Sequence, residues 1–448
     1  MSMAPTHFVA GDRFVPWLDQ MPSAWSFQPL KYLVRINART LGEETEPETC
    51  IDYIDISSVD SEGLVIETTS LTFGTAPSRA RRVLMAGDVF ISTVRTYLTA
   101  IAFCDARTHG FICSTGFAVL TPGMRVLPKF LFYWTRSSSF VGEIVARSTG
   151  VSYPAINASE IGNLPFPLLD LEHQQTIVDY LDRRTDQIDS LIGKRVRQIE
   201  LIHEKRRALI SQAVSGGTDA GVHLSESGLE WLGRVPESWC VSKLLFLLRE
   251  RPKNGISPPH PTTSEGVPTF SIAAVRDGVV RINDHLKSTD LNLENARDYL
   301  VHVGDILVIR GNANQDLVGR CGMVSEHPPG CVYPDLLIRI KPNGLIDPIY
   351  LVFFLNSALG RRQMEMSAKT SNGTLKISGE DLASIKILLP PRREQLEILH
   401  TLSVSLDQVD KLIGLVRTQT EKLIEFRLAL ITAAVTGKLD VPTKADAP

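Results

Sequence analysis

Residues 171–217 read LEHQQTIVDYLDRRTDQIDSLIGKRVRQIELIHEKRRALISQAVSGG, and a second version of this text begins 221 positions later. Apolar residues recur at Leu181, Ile188, Ile202 and Leu209, with a neighbouring stripe at Ile192, Ile199 and Ala213. A spacing of seven describes a long helix that buries one stripe along another helix. The partner lies in the same chain. The offset carries the pattern onto Leu402, Val409, Val416, Leu423 and Leu430, with Ile413 and Ala434 beside them. Between His173 and Gly217, 19 of 45 positions are identical at this single offset. They include Gln187, Gly193, Glu204 and Arg206, which a hydrophobic period alone would not preserve. The segment is an internal duplication.

Two non-helical regions surround these helices, roughly residues 10–169 and 222–391. The first opens with Trp17, Pro22 and Trp25, the second with Trp231, Pro236 and Trp239, each pair 214 positions apart. Short runs rich in Val, Ile, Tyr and Phe, broken by Gly, Pro and Asn, read as strands. Cys50–Ile56 alternates polar and apolar residues, and Val83–Ile91 matches Val301–Ile309, each with a Gly-Asp turn feeding a buried strand. This turn role is preferred over a catalytic carboxylate for Asp88 and Asp305. Lys129–Trp134 and Ile349–Asn356 read as short helices in equivalent places. Each region closes on an apolar strand running into prolines, and a long helix begins beyond them. Asp170 is placed to cap the first, and Gly216-Gly217 and Gly437 to stop the two.

The expected organisation is a first head over 1–169, a helix over 170–217, a linker and second head over 218–391, a second helix over 392–440 and a disordered tail over 441–448. The fold class is α+β: two mixed α/β heads joined by two long helices, an internal pseudo-two-fold repeat. The helices are alike and the heads are not. TVRTYLTAIAFCDARTHGF in the first has little in common with RGNANQDLVGRCGMVSEHP in the second. Equal scaffolds with unequal heads imply one kind of task on two targets.

A helix of ~40 residues is ~60 Å long at 1.5 Å per residue. In a parallel pair the second head would have to bridge most of that length with only a short linker. Short connections favour an intramolecular antiparallel coiled coil. Such a rod would fix the distance and rotation between two half-sites on one duplex.

The chain has 448 residues, 43% of them apolar, and a formal charge of −3. That length allows two to four domains. No basic excess marks it as a nucleic-acid binder: residues 1–165 hold 13 Lys and Arg against 15 acids, and residues 218–390 hold 18 against 19. DNA binding would rest on local basic faces or on a partner. No run approaches the ~20 apolar residues of a membrane helix, and the first residues lack the pattern of a secretory signal. Cys50, Cys104, Cys113, Cys240, Cys321 and Cys331 are scattered without a CxxC pair, and read as reduced thiols of a cytoplasm rather than a zinc site.

The layout resembles the specificity subunit of type I restriction-modification systems. The resemblance rests on the paired entrances, of which Trp231-Leu232-Gly233-Arg234-Val235-Pro236-Glu237-Ser238-Trp239 is the closer copy. It rests also on the strand-to-helix junctions at Leu164–Gln175 and Leu388–Gln395, and on helices ending in KRRALISQAVSGG and FRLALITAAVTGKLD. The first entrance departs from the pattern, with Leu18-Asp19-Gln20 after Trp17. The resemblance implies two target recognition domains, each reading half of a bipartite DNA site, and a coiled coil that sets the spacer. It implies double-stranded DNA, two methyltransferase subunits and translocating restriction subunits as partners, in a bacterial or archaeal cytoplasm. Catalysis is expected elsewhere. S-adenosylmethionine belongs to the partner methyltransferase, ATP and Mg to the partner restriction subunit, and this chain holds no cofactor or metal.

For base reading, Arg, Lys, Asn and Gln on loops are the suitable types, because they make bidentate contacts with base edges. Candidates in the first head are Arg79, Arg81, Arg82, Arg95, Tyr97, Arg107, Ser152 and Tyr153. Those in the second are Arg310, Asn312, Asn314, Gln315 and Arg320, with Lys369, Ser371, Asn372 and Lys376. The bland alternative for each is a solvated loop. On the helices, Arg183, Arg184, Arg195 and Arg197 either solvate the rod or meet a partner. Two rival functions stand beside the main one. An enzyme carrying its own recognition domain would need a Gly-rich cofactor loop and an Asn/Asp-Pro-Pro-aromatic turn, or a phosphate-binding GxxxxGK[ST] loop; the sequence shows none of these. A non-catalytic coiled-coil adaptor, or the specificity subunit of a methylation-only system, is the other.

Overall fold

A computed structural model describes the chain except residues 1–8, 11–12, 15–16, 19–20, 218–222, 230–231, 257–265, 283–285, 290, 292–295, 372–373 and 442–448. Trp231, Asn372 and nearly all of the expected tail therefore lie outside the described residues. The duplicated stripes form two helices, Leu171–Gly216 and Arg392–Val435, of 46 and 44 residues. Asp170 caps the first, its Oδ1 accepting the His173 N–H at 2.7 Å. Gly217 ends it at φ +76°, and Gly437 follows the second at φ +67°, left-handed conformations that a side chain would strain. Contacts divide the chain into two compact units, residues 1–196 with 417–448, and residues 197–416. The division cuts both long helices. Each head packs on the start of the helix that follows it and on the end of the other.

In the first unit an antiparallel sheet has the strand order Val34–Ile36, Phe117–Pro122, Val89–Ser92, Ile101–Phe103. A second sheet orders Thr69–Thr72, Cys50–Ile54, Ile112–Ser114 and Ala80–Val83. The opening strand Ser26–Pro29 pairs with the closing strand Pro165–Leu168. Prolines are tolerated in this two-stranded ribbon because both its strands are edges. Phe130, Trp134, Phe140 and Phe166 are buried together with Leu181, Ile188, Leu430 and Ala434 of the long helices. Each fully buried ring contributes roughly 1.5–3 kcal/mol. Ile192 and Leu423 join the edge of this core. Arg427 pairs with Asp189 at 2.8 Å, while Ile177 lies near Ala434 and Gly437. The two helix segments of this unit therefore run in opposite directions.

The second unit repeats the plan. Its main sheet runs Lys253–Asn254, Leu337–Ile340, Ile306–Ile309, Cys321–Val324, and then adds Val279–Val280 and Val275–Arg276. The first four strands match the four-stranded antiparallel sheet of the first unit. Cys240–Lys243 pairs with Lys386–Leu389, as opening and closing strands do there. Ile199, Ile202 and Leu209 pack with Val409, Ile413 and Val416. Leu402 and Leu406 share a core with Ile210, Ala213 and Val214, and Arg206 pairs with Asp410 at 3.5 Å. These segments too are antiparallel. No described helix is long and apolar enough to cross a membrane.

The joints between head and helix are duplicated to the atom. Gln174 is buried; its Oε1 accepts the Leu127 N–H, and its Nε2 donates to the Arg125 and Leu169 carbonyls. Gln395 does the same with Asp347, Leu345 and Pro390. The short helix Ser138–Arg147 has its first N–H held by Thr432 Oγ1, and Ala358–Ser367 has its own held by Ser211 Oγ. Trp25 lies over Gly437 and edge-on to His173; Trp239 lies over Gly217 and donates to Glu394 at 2.8 Å.

Two measurements check this account. Gln395→Ala strands a buried backbone N–H and two carbonyls, each such loss costing about 1–3 kcal/mol. Chemical denaturation should show a loss of at least ~2 kcal/mol; a change within ~0.5 kcal/mol would refute the clamp. Cys104, Cys113, Cys321 and Cys331 are buried, and Cys50 and Cys240 exposed. Burial pushes the Cys104 thiol up to about 11 and the Cys321 and Cys331 thiols to about 12. A thiol reagent near neutral pH should label Cys50 and Cys240 rapidly and the other four only on unfolding.

Candidate nucleic-acid interface

In the second head the buried strand Ile306–Ile309 leads directly to Arg310. The strand is fed by the expected turn: Gly304 sits at φ +88°, and Asp305 Oδ2 accepts the His302 N–H at 2.9 Å. Burial raises the Asp305 carboxyl above its ordinary range, against the opposing pull of that N–H and of Arg339. In the first head Asp88 Oδ2 accepts the Met85 N–H at 2.9 Å and pairs with Arg39. Both aspartates are structural, in line with the turn role expected of them.

Beyond Arg310 the chain forms a small three-stranded sheet: Gly311–Asn312, Thr374–Lys376 and Lys369–Ser371. Two candidate segments some 60 residues apart are thereby joined. A Cβ at Gly311 would meet Lys376 Cγ at 3.0 Å, so the glycine lets the two segments pair without displacing that side chain. Asn312 Oδ1 accepts the Asn314 N–H at 2.9 Å, and Asn314 Oδ1 accepts the Asp316 N–H at 3.0 Å. These bonds cap the turn Gln315–Leu317 and use only the carbonyl end of each amide. Arg320 Nε donates to the Asp316 carbonyl at 2.8 Å. Asn314, Gln315, Arg320 and Lys369 are exposed, and Asn312, Arg310 and Lys376 half-buried. Arg310 Nη1 reaches the Asp335 carbonyl, while its Nε has no hydrogen-bond partner among the described residues. The side chain of Ser371 lies outside the described residues, as does Asn372.

The first head has the same joint with different chemistry. After the buried strand Val89–Ser92, Val94 and Thr149 both bridge to Ala155. The Arg95 N–H donates to the Pro154 carbonyl at 2.8 Å, and the Arg95 guanidinium stacks over Tyr153 at 4.6 Å from the ring centroid. Arg95 and Thr99 stand at φ +51° and +54°, flanking the turn Thr96–Leu98. Two non-glycine left-handed residues in one turn cost on the order of 1–3 kcal/mol each. The strained turn presents Tyr97 at the surface. Ser152 and Tyr153 are exposed beside it, and Val151 is fully exposed at the loop tip.

The other candidates of this head lie on the second sheet or its turns. Arg79 pairs with Asp55 at 2.8 Å, Arg81 stacks on Phe73, and Arg82 donates to Thr40 Oγ1. Arg107 pairs with Asp105 at 2.8 Å. The structure therefore gathers Arg95, Tyr97, Ser152 and Tyr153 on one joint and leaves Arg79, Arg81, Arg82 and Arg107 apart from it, engaged with their own partners. Leu98 and Val151 add exposed apolar surface to this joint; Val151 falls within the segment Ser148–Tyr153, which corresponds in sequence to Lys369–Lys376 of the second head. Among the described residues no three His, Cys, Asp or Glu side chains converge as a metal site.

A sequence profile for the family described as "Type I restriction modification DNA specificity domain" matches residues 37–201 and again 260–425. The chain is 28% identical over 445 residues to the "Type I restriction enzyme EcoKI specificity subunit" of Escherichia coli strain K12, covering 96% of this chain and 92% of that one. It is 24% identical over 448 residues to the "Type I restriction enzyme StySPI specificity subunit" of Salmonella potsdam, with coverage of 96% and 92%. Among solved structures, a chain from "Structural basis underlying complex assembly and conformational transition of the type I R-M system" superposes with a TM-score of 0.64 at 24% identity, covering 94% of this chain and 99% of that one. At that identity the likeness speaks to the fold.

Proposed function

This chain belongs to the family of type I restriction-modification DNA specificity domains, and we propose that it is the subunit that tells such a complex which DNA sequence to act on. One observation carries the reading. Two scaffolds alike down to their buried glutamines, each matched by the family profile, present unlike polar segments at the same joint. In the second head Arg310, Asn312, Asn314, Gln315 and Arg320, with Lys369, Ser371, Asn372 and Lys376, suit adenine and guanine edges in the major groove. In the first head the Arg95–Tyr153 stack, Tyr97 and Ser152 form the reader, while Arg79, Arg81, Arg82 and Arg107 stay with the partners that hold them elsewhere.

The two long helices act as an antiparallel coiled-coil spacer between the half-sites. Their outer faces carry a duplicated patch. Leu191 and Leu412 are both nearly half exposed, and Gly193 and Gly414 beside them have open space above. Repeated patches suit two copies of one methyltransferase subunit, to which restriction subunits add. The chain itself performs no catalysis. The methyltransferase supplies S-adenosylmethionine, the restriction subunit ATP and Mg, and the assembly works on double-stranded DNA in a bacterial or archaeal cytoplasm.

Selection from random duplexes by the chain assembled with its methyltransferase tests this directly. A split motif with a constant spacer is expected, and absence of any sequence preference would refute the reading. The Gln315 side chain is exposed and makes no hydrogen bond among the described residues, and the Gln315 carbonyl that accepts the Val318 N–H is kept in an alanine variant, so removal of the side chain spares the fold. Gln315→Ala should relax selection at about one base pair of a single half-site, by about 1–3 kcal/mol of discrimination. Relaxation at both half-sites would contradict independent heads. A matched insertion of one heptad in each long helix keeps the apolar stripe and lengthens the rod by ~10 Å at 1.5 Å per residue. The selected spacer should grow by about three base pairs at 3.4 Å per step; an unchanged spacer would sink the spacer role.

A further inference from the structure

Each unit has a groove of the same construction, walled by the end of a long helix, the head's short helix pair and the edge of its main sheet. In the first unit it measures about 560 Å³ and is walled by Ile101, Val141, Val145, Ile424 and Leu428, with Arg136 and Arg427 beneath. Both cations are engaged. Arg427 pairs with Asp189 and Glu62, and Arg136 reaches Glu62 and the Ser61 carbonyl. Burial, followed by the neighbouring Arg427, lowers Arg136 to about 10.

The second unit's groove, of about 540 Å³, is walled by His203, Arg206, Arg207, Arg276, Arg320 and Arg361. The positions correspond. His203, Arg206 and Arg207 are the duplicates of Ile424, Arg427 and Leu428, and Arg361 and Val141 are each the fourth residue of the second short helix. Here the carboxylates do not balance the cations. Asp410 engages Arg206, Glu365 engages Arg361, and Asp277, which also lines the groove, is held by Arg281. Arg207, Arg276 and Arg320 are exposed and have no carboxylate partner among the described residues. Burial and then the neighbouring Arg320 lower the Arg361 pKa, a strain that an anion would relieve.

We propose that this groove holds phosphates of the DNA backbone flanking the half-site read by the second head, through Arg207 and Arg276, and that its counterpart in the first unit does not. The proposal rests on the DNA-reading function above. Arg320 supplies the continuity: it walls the groove and is tied to the end of the reading turn through Asp316. A strand leaving that turn enters the groove at once. An acidic segment of a partner present in two identical copies would instead require the same charge in both grooves, and the two differ.

The test uses the assembled chain and methyltransferase, and duplexes carrying the selected motif or a scrambled one, from 50 to 200 mM salt. The wild type comes first: if it does not prefer its motif, the DNA-reading function itself has failed. With that established, Arg207→Ala/Arg276→Ala should reduce the slope of log K against log salt by about 1.8, at about 0.9 for each phosphate that is no longer neutralised. Preference for the motif over the scrambled duplex should stay unchanged. Arg207→Lys/Arg276→Lys should restore the slope, which a merely structural role would not predict. Leu428→Ala in the first unit's groove should leave it unaltered. An unchanged slope in the alanine variant overturns the proposal, and so does failure to bind methyltransferase with the slope retained, which would assign the groove to an acidic protein surface.

Discussion

Burial of the apolar stripe between antiparallel helix segments is the contact on which the rest depends. In each unit the stripe is continuous with the head's own core. Leu181 and Ile188 lie with Trp134 and Phe166, and Leu402 and Leu406 with Tyr350 and Phe354. Each head is thus not appended to its helix segments but completed by them. The ends of two helices supply apolar walls that each small sheet lacks, and small sheets bury too little surface to stand without such cover.

Duplication has been kept where the stripe and its joints demand it. Gln174 and Gln395 satisfy buried backbone groups for which no other side chain has the length and the paired donor and acceptor. Thr432 and Ser211 cap the short helices in the same way. Where side chains face outward, the two copies have parted. One joint carries an arginine stacked on tyrosine over a strained turn, the other amides and a hairpin. Exposed loop residues contribute little to stability, so their chemistry can change without cost to the fold. The two grooves follow the same logic: Leu428 and Arg207 occupy one structural position, and each is tolerated because each keeps a solvent-facing edge.

Much of this is legible in the linear text. The heptad stripe, the capping Asp170, the terminal glycines and the Gly-Asp turns are local patterns with local causes, and each appears where the spacing put it. The pairing of Gly311–Asn312 with Thr374–Lys376 is not legible there, because strand partners distant in sequence leave no mark in either segment alone. Nor is the separation of Arg95 from Arg79, Arg81 and Arg82. A cluster of arginines looks basic in the sequence, but in the fold Asp55, Phe73 and Thr40 claim these three.

The sequence by itself determined that two copies of one helix exist, how long they are, which faces they bury and that their heads differ, since helical period and identity at a single offset are properties of the linear text. Only the tertiary structure decided which polar residues share a surface, which arginines remain unpaired and where a charged groove replaces an apolar one. Those outcomes depend on contacts between segments far apart in the chain, where the geometry of the sheets, and not the neighbours in sequence, chooses each side chain's partner.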